Sequence, residues 1–180
     1  MTGLVCQCKI AMNNSLERQP GHRKSLNHSL ALYMDTLNLP AFGHKISEIG
    51  GKPHIFDALR RKYVRLTPEE WVRQHIIHLL LSQYQYPRAL MQCEGGLILN
   101  QIQKRTDLVV FDRTGNPFLV VECKAPHVAL NQSVFDQIAR YNHVHRAPYL
   151  IVTNGLLHYC CCIDHQTSGI TFLDDFPAFG

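Results

Sequence analysis

Hydrophobic positions along the chain change their period several times, and each change predicts an element. From Met34 to about Val64, short apolar pairs alternate with polar residues, as in extended segments. "IGGKP" within that stretch predicts a hairpin turn. "LTPEEWVRQHIIHLLLSQYQYP" then switches to helical spacing, with Trp71, Ile76 or His75, Leu79 and nearby Leu residues on one stripe. Thr67 is a suitable N-cap, Pro68 suits the first turn, and Glu70 stands three residues after the cap as in a capping box. Pro87 ends the pattern. "LMQCEGGLILN", "TDLVVFD" and "NPFLVVECKAP" read as three strands, and "NQSVFDQIARYNHV" as an amphipathic helix. The run "PYLIVTNG" is a buried strand bounded by Pro148 and Gly155, and "HYCCCIDH" a last strand. A strand that follows a crossover helix usually lies parallel to the one before it, so the order predicts an α/β fold with a mixed sheet.

Residues 1–33 lack sustained periodicity and are read as a disordered tail; residues 34–180 form a single domain. Cys6, Cys8, His22 and His28 lie in that tail, where C-x-C without a second close pair fails the spacing of a zinc site. Seven cysteines, three of them consecutive at 160–162, do not form a disulfide framework and predict reduced thiols in a cytoplasmic protein. No apolar run is long enough to span a membrane. A formal net charge of +4 is compatible with a polyanion partner. The run Arg60, Arg61, Lys62 beside Tyr63 is either a solvated edge or a contact for phosphates.

The hairpin at 106–126 carries the chemistry. "RTGN" at 113–116 invites a two-residue turn centred on Thr114 and Gly115. That register sets Asp107 opposite Glu122, with Lys124 on the same side as Val109, Phe111, Phe118 and Val120. Leu108, Val110, Leu119 and Val121 fill the other face, so the sheet is covered on both sides. Facing carboxylates repel, and partial burial increases the repulsion. A divalent cation would relieve it, and Mg²⁺ takes one or two carboxylates together with waters and a substrate phosphate. The Cys123 carbonyl, between Glu122 and Lys124, is a further candidate ligand, and Lys124 would orient or deprotonate the attacking water. On this reading Asp107→Ala leaves the metal-free protein as stable as before or more so. The alternative is an ion pair of Lys124 with Glu122 or Asp107 and no chemistry.

Asp107, Glu122 and Lys124 in this arrangement resemble the PD-(D/E)XK nuclease superfamily. Together with "LTPEEWVRQH", "KRTDLVVFD", "LVVECKAP", "FDQIARYN" and "PYLIVTNG", the chain is similar to the N-terminal nuclease domain of type I restriction enzyme R subunits. The resemblance covers roughly residues 34–165. It implies a central mixed sheet flanked by helices, a Mg²⁺-dependent (or Mn²⁺-dependent) deoxyribonuclease, and DNA as partner. A helicase or another restriction subunit, or a second copy of the chain, would complete the assembly. It also implies a Q-x-x-x-Y motif that supports the site and nucleic-acid binding, matched by Gln137 and Tyr141; Tyr141 is equally well a core aromatic. Glu70 matches the first-helix carboxylate found in many members, against its capping role, with Gln74 as a substitute and Glu94 as a further acidic residue. Thr106 departs from the superfamily's Pro. The motor and specificity parts of full restriction enzymes do not fit in 180 residues. A catalytically inactive nucleic-acid-binding or assembly module with the same fold is the alternative.

Overall fold

A computed structural model describes residues 33–99 and 102–180. Among the described residues, nine strands form two sheets, with two α-helices packed against them. Three short strands, β1 (Ile46–Ile49), β2 (Lys52–Asp57) and β3 (Lys62–Arg65), make an antiparallel sheet. Gly50 and Gly51 join β1 to β2, both at positive φ, which the tight turn requires and only glycine adopts freely. Helix α1 (Pro68–Ser82) follows at once. After a 3₁₀ turn at Arg88–Leu90 come β4 (Met91–Leu99), β5 (Ile102–Phe111) and β6 (Pro117–Cys123). Helix α2 (Gln132–His145) crosses over to β7 (Tyr149–Thr153), and β8 (His158–Asp164) and β9 (Gly169–Leu173) complete a six-stranded sheet in sequential order.

The fold is a mixed α/β arrangement, because β6 and β7 pair parallel across the α2 crossover while the other neighbours are antiparallel. The extended N-terminal segments assemble as their own sheet, and β9 is a strand that lay beyond the last one read from the sequence. Both faces of the large sheet are covered. One core joins Ile55 and Leu66, the α1 residues Val72, Ile76 and Leu80, and Leu108, Val110 and Val121 of the sheet. A second, under α2, gathers Val109, Val120, Phe135, Ile138, Leu150 and Val152. The consecutive cysteines divide accordingly, Cys160 entering the first core and Cys161 the second. All five cysteines among the described residues are free thiols.

The β5–β6 hairpin reaches the expected register by a different route. Its turn is a β-turn closed by Gly115 N–H donating to the Asp112 carbonyl (3.1 Å), with Gly115 at φ 86° and Asp112 N–H donating to Asn116 (2.8 Å). Asp112 Oδ1 accepts from Thr114 and Asn116 N–H groups, which fixes this turn instead of one centred on Thr114 and Gly115. Phe111 therefore pairs with Pro117, and a bulge inserts Phe118 before Val110 pairs with Leu119. The turn moves the register by one residue and the bulge moves it back. Phe118 consequently leaves the face of Val109 and Val120 and packs in the first core against Tyr86, Tyr149 and Phe179.

The tail residues Cys6, Cys8, His22 and His28 lie outside the described residues, as do the side chains of Glu94, Gln137 and Tyr141. No helix among the described residues is long and apolar enough to cross a membrane.

Candidate active site

Strands β5 and β6 pair as Leu108 with Val121, and one further step along that register sets Asp107 across from Glu122. Asp107 is buried, and its Oδ2 accepts the Cys123 backbone N–H at 2.7 Å. That bond ties the end of β6 to β5. Lys124 stands two residues beyond Glu122 and donates to its Oε1 at 2.7 Å. The Lys124 N–H meanwhile donates to Thr153 of β7 (2.8 Å), so the lysine backbone is fixed while its ammonium reaches the carboxylate. The Cys123 side chain is fully buried in the first core, which leaves its backbone as what it can offer the site.

Helix α1 supplies the other side. Thr67 Oγ1 accepts the Glu70 N–H at 3.1 Å, the expected cap. The Glu70 carboxylate, however, turns to side chains. Oε1 accepts from Arg60 (2.7 Å) and Gln74 (2.8 Å), and Oε2 from Arg73. Arg73 is nearly buried, and its guanidinium bridges Glu70 to Asp107 Oδ1. Arg60 reaches back to Asp57 Oδ2 at 2.5 Å. A chain of ion pairs, Asp57–Arg60–Glu70–Arg73–Asp107, thus runs from the small sheet to the large one.

Two expectations change as a result. Arg60 is neither on a solvated edge nor facing a ligand, because two buried carboxylates hold it inward; Arg61 and Lys62 remain exposed. Asp107→Ala is expected to destabilise the metal-free protein, since Asp107 has a cationic partner and a backbone donor that the substitution would strand.

Burial first, then the nearby Asp107, pushes the Glu122 carboxyl up to about 7 against the opposing effect of Lys124. Glu69, half-exposed in the first turn of α1, is likewise raised, by burial and by Asp107. Lys124 is held above its ordinary value by Glu122, Asp107 and Glu69, which outweigh its desolvation. In this network five carboxylates (Asp57, Glu69, Glu70, Asp107, Glu122) share three cations (Arg60, Arg73, Lys124). The carboxylates in excess of the cations are Asp107, Glu122 and Glu69, which raise one another's affinity for protons.

All three donors are hard carboxylate oxygens, the set that suits Mg²⁺ or Mn²⁺. Among the described residues no three His, Cys, Asp or Glu side chains form a complete ligand cluster. The oxygen chemistry of Asp107, Glu122 and Glu69 suits such an ion, but as they stand these side chains do not converge into a ligand set. Glu69 and Arg73 are the residues that reading the sequence passed over. Glu69 adjoins Glu70 in "PEEW", but capping logic drew attention to its neighbour. Arg73 had no signal beyond its three-residue spacing from Glu70.

Gln74 is fully buried and donates to Asp57 and Glu70, which makes it a brace within the ion-pair chain. Thr106 lies 2.6 Å from the His145 ring at the end of α2 and links β5 to that helix. Helix α2, which carries Gln137 and Tyr141, packs against β6 and β7.

Fold and site together define a mixed α/β domain with a carboxylate- and lysine-bearing centre at the ends of adjacent strands. Residues 68–177 match the family described as Type I restriction enzyme R protein N terminus (HSDR_N), and the chain belongs to it. Among solved structures, a fragment of an HsdR subunit of a type I restriction enzyme from Vibrio vulnificus YJ016 is similar. It is 27% identical, with a TM-score of 0.33, over 49% of this chain and 16% of that one. The present chain thus spans about a sixth of that protein. No curated protein matches the chain in sequence.

Proposed function

We propose that this chain is a Mg²⁺-dependent deoxyribonuclease domain with a PD-(D/E)XK core, hydrolysing DNA phosphodiesters within a restriction system. The observation that carries this reading is the placement of Asp107 and Glu122 on adjacent strands, each one residue beyond the paired Leu108 and Val121, with Lys124 in contact with Glu122 and more carboxylates than cations around them. A purely structural cluster gains nothing from carboxylates that outnumber their cations and hold one of their number partly neutral. Asp107, Glu122 and the Cys123 carbonyl would hold the ion, with Glu69 in the helix position assigned from the sequence to Glu70. Mg²⁺, when bound, supplies the positive charge that draws in the phosphate and makes water a better nucleophile at neutral pH.

The chain's own groups do the rest. Lys124 donates to the attacking water or a phosphoryl oxygen, and so opposes the charge that develops as the P–O bond breaks. Arg73 fixes the Asp107 rotamer, and the Cys123 N–H fixes its second oxygen. DNA is the proposed substrate. A helicase or another restriction subunit, or a second copy of the chain, is the proposed partner, and the cytoplasm the proposed location.

A second reading, a silent module with the same fold, draws on one observation. Arg73 already occupies Asp107, and Lys124 already closes on Glu122. Incubation of the purified protein with supercoiled plasmid, in EDTA and in Mg²⁺ or Mn²⁺, separates the two. Nicking or linearisation in either metal is expected, absent from Lys124→Ala, Asp107→Ala and Glu122→Ala. Lys124→Ala should still bind Mn²⁺ by calorimetry, since an ammonium is not a ligand, whereas the two carboxylate variants should not. No cleavage and no metal binding by the wild-type protein would leave the silent module.

A further inference from the structure

The family match begins at Pro68, so the small sheet β1–β3 lies outside it. Its two faces differ. Ile46, Ile55 and Val64 pair across the sheet and turn inward to the first core. By alternation, Ser47 and the exposed Ile49 of β1, Lys52, His54 and Phe56 of β2, and Tyr63 and Arg65 of β3 turn outward. Lys45 joins them, with its Nζ 6.0 Å from the centre of the Phe56 ring. Phe56 and Tyr63 are direct cross-strand partners in edge-to-face contact, with centroids 5.4 Å apart. Tyr63 is 40% exposed, and Lys45, Lys52 and Arg65 are exposed on the same face. Glu48 and Lys62 fall on the opposite side by the same alternation, so the outward positions of the three strands carry cations and no carboxylate.

We propose that this outward face binds a single strand of DNA, with bases stacking on Tyr63 and its backbone phosphates meeting Lys45, Lys52 and Arg65. Two features favour an unpaired strand over a duplex. An exposed aromatic flanked by cations is a stacking platform, which uses base faces that a duplex hides. A three-stranded sheet also presents a broad surface, not a helix or ribbon that enters a groove. The face is also rigidly coupled to the candidate active site. Arg65 stands two residues before the α1 cap Thr67, and the Asp57–Arg60–Glu70–Arg73–Asp107 chain clamps the underside of the sheet to the site. A strand held there lies at a fixed offset from the carboxylates. This inference rests on the nuclease reading only for its choice of DNA.

Fluorescence anisotropy in EDTA, where no cleavage occurs, tests it with a labelled single-stranded oligonucleotide and its duplex. The wild-type protein should prefer the single strand. Tyr63→Ala should weaken that binding by about tenfold, as expected for loss of one stacked base. Lys52→Glu/Arg65→Glu should weaken it further and flatten its salt dependence. Arg113→Glu, in the exposed β5–β6 turn, should change little and controls for net charge. All these positions are exposed, and thermal melts matching wild type would verify the fold. Unchanged affinity in Tyr63→Ala and in the double variant, or equal preference for the duplex, would overturn the proposal even if plasmid cleavage is intact. Loss of a dimer on Tyr63→Ala in sedimentation, with DNA affinity unchanged, would overturn it in favour of a protein interface. Absence of cleavage with the predicted binding losses would defeat the nuclease reading and leave this one standing.

Discussion

Glu122 is subject to opposed forces. Lys124 favours its ionised form, while burial and Asp107 favour the neutral one and prevail, setting the carboxyl at about 7. Its ordinary value is 4.5, so the folded state takes up a proton that the unfolded chain releases. The resulting stability is present below pH 4.5 and is lost as pH rises to about 7. His75 and His158 act oppositely, because burial lowers each to about 4 and their contribution is lost as pH falls through that value. The net profile of the wild-type protein therefore mixes both signs. Comparison with Glu122→Gln isolates the carboxylate. In metal-free urea melts, the wild type should lose stability relative to the variant between pH 4.5 and 7, and saturating Mg²⁺ should reverse that loss by favouring the ionised form. A pH-independent difference would mean that Glu122 is already ionised throughout. Asp107, Glu122 and Lys124 were legible in the sequence because charges interrupt an apolar run there. Glu69 and Arg73 were not, because charged residues on a helix are ordinary until its neighbours are known.

Among the elements, the helices and buried strands follow from period, caps and breakers. Thr67 and Pro68 start α1 as expected, and Gly155 ends β7. The β5–β6 turn was misplaced because Asp112 accepts local N–H groups that the turn dipeptide does not reveal. A bulge at Phe118, set by aromatic packing, then restored the register. Gly155 carries a tertiary requirement as well as a turn. It sits at φ 82°, and an added Cβ would lie 2.8 Å from Leu37 Cδ2 and 3.1 Å from Val72 Cγ2 of α1. The Asn38 N–H also donates to its carbonyl at 2.8 Å, so the backbone has little room to retreat. Gly155→Ala should cost about 1–3 kcal/mol through backbone strain and overpacking, read as a lower denaturant midpoint with an unchanged m-value. A midpoint equal to wild type would show that Leu37 yields freely.

At the scale of the whole molecule, the ion-pair chain couples two sheets that share one core. Arg73 is its least replaceable link, with nearly buried carboxylates on both sides. Arg73→Met keeps the aliphatic stem but leaves Asp107 without its cation and Glu70 with Arg60 alone, and should cost about 3–5 kcal/mol in metal-free buffer. Mg²⁺ should recover part of that loss, because a cation near Asp107 replaces the missing charge. Thermal melts with and without metal measure both effects, and a variant as stable as wild type would show the chain to be dispensable. By itself the sequence determined the two helices, the parallel crossover, the strand cores and the three polar residues of the hairpin, because period, capping and charge within an apolar run are local. It also carried the family, through motifs whose spacing is written in the chain. Only the tertiary structure decided that Arg60 turns inward, that Arg73 grips Asp107, and that the outward face of the small sheet gathers aromatics among cations. Those outcomes depend on which surfaces meet. A side chain's partner across tens of residues is set by the packing of whole elements, which no local pattern encodes.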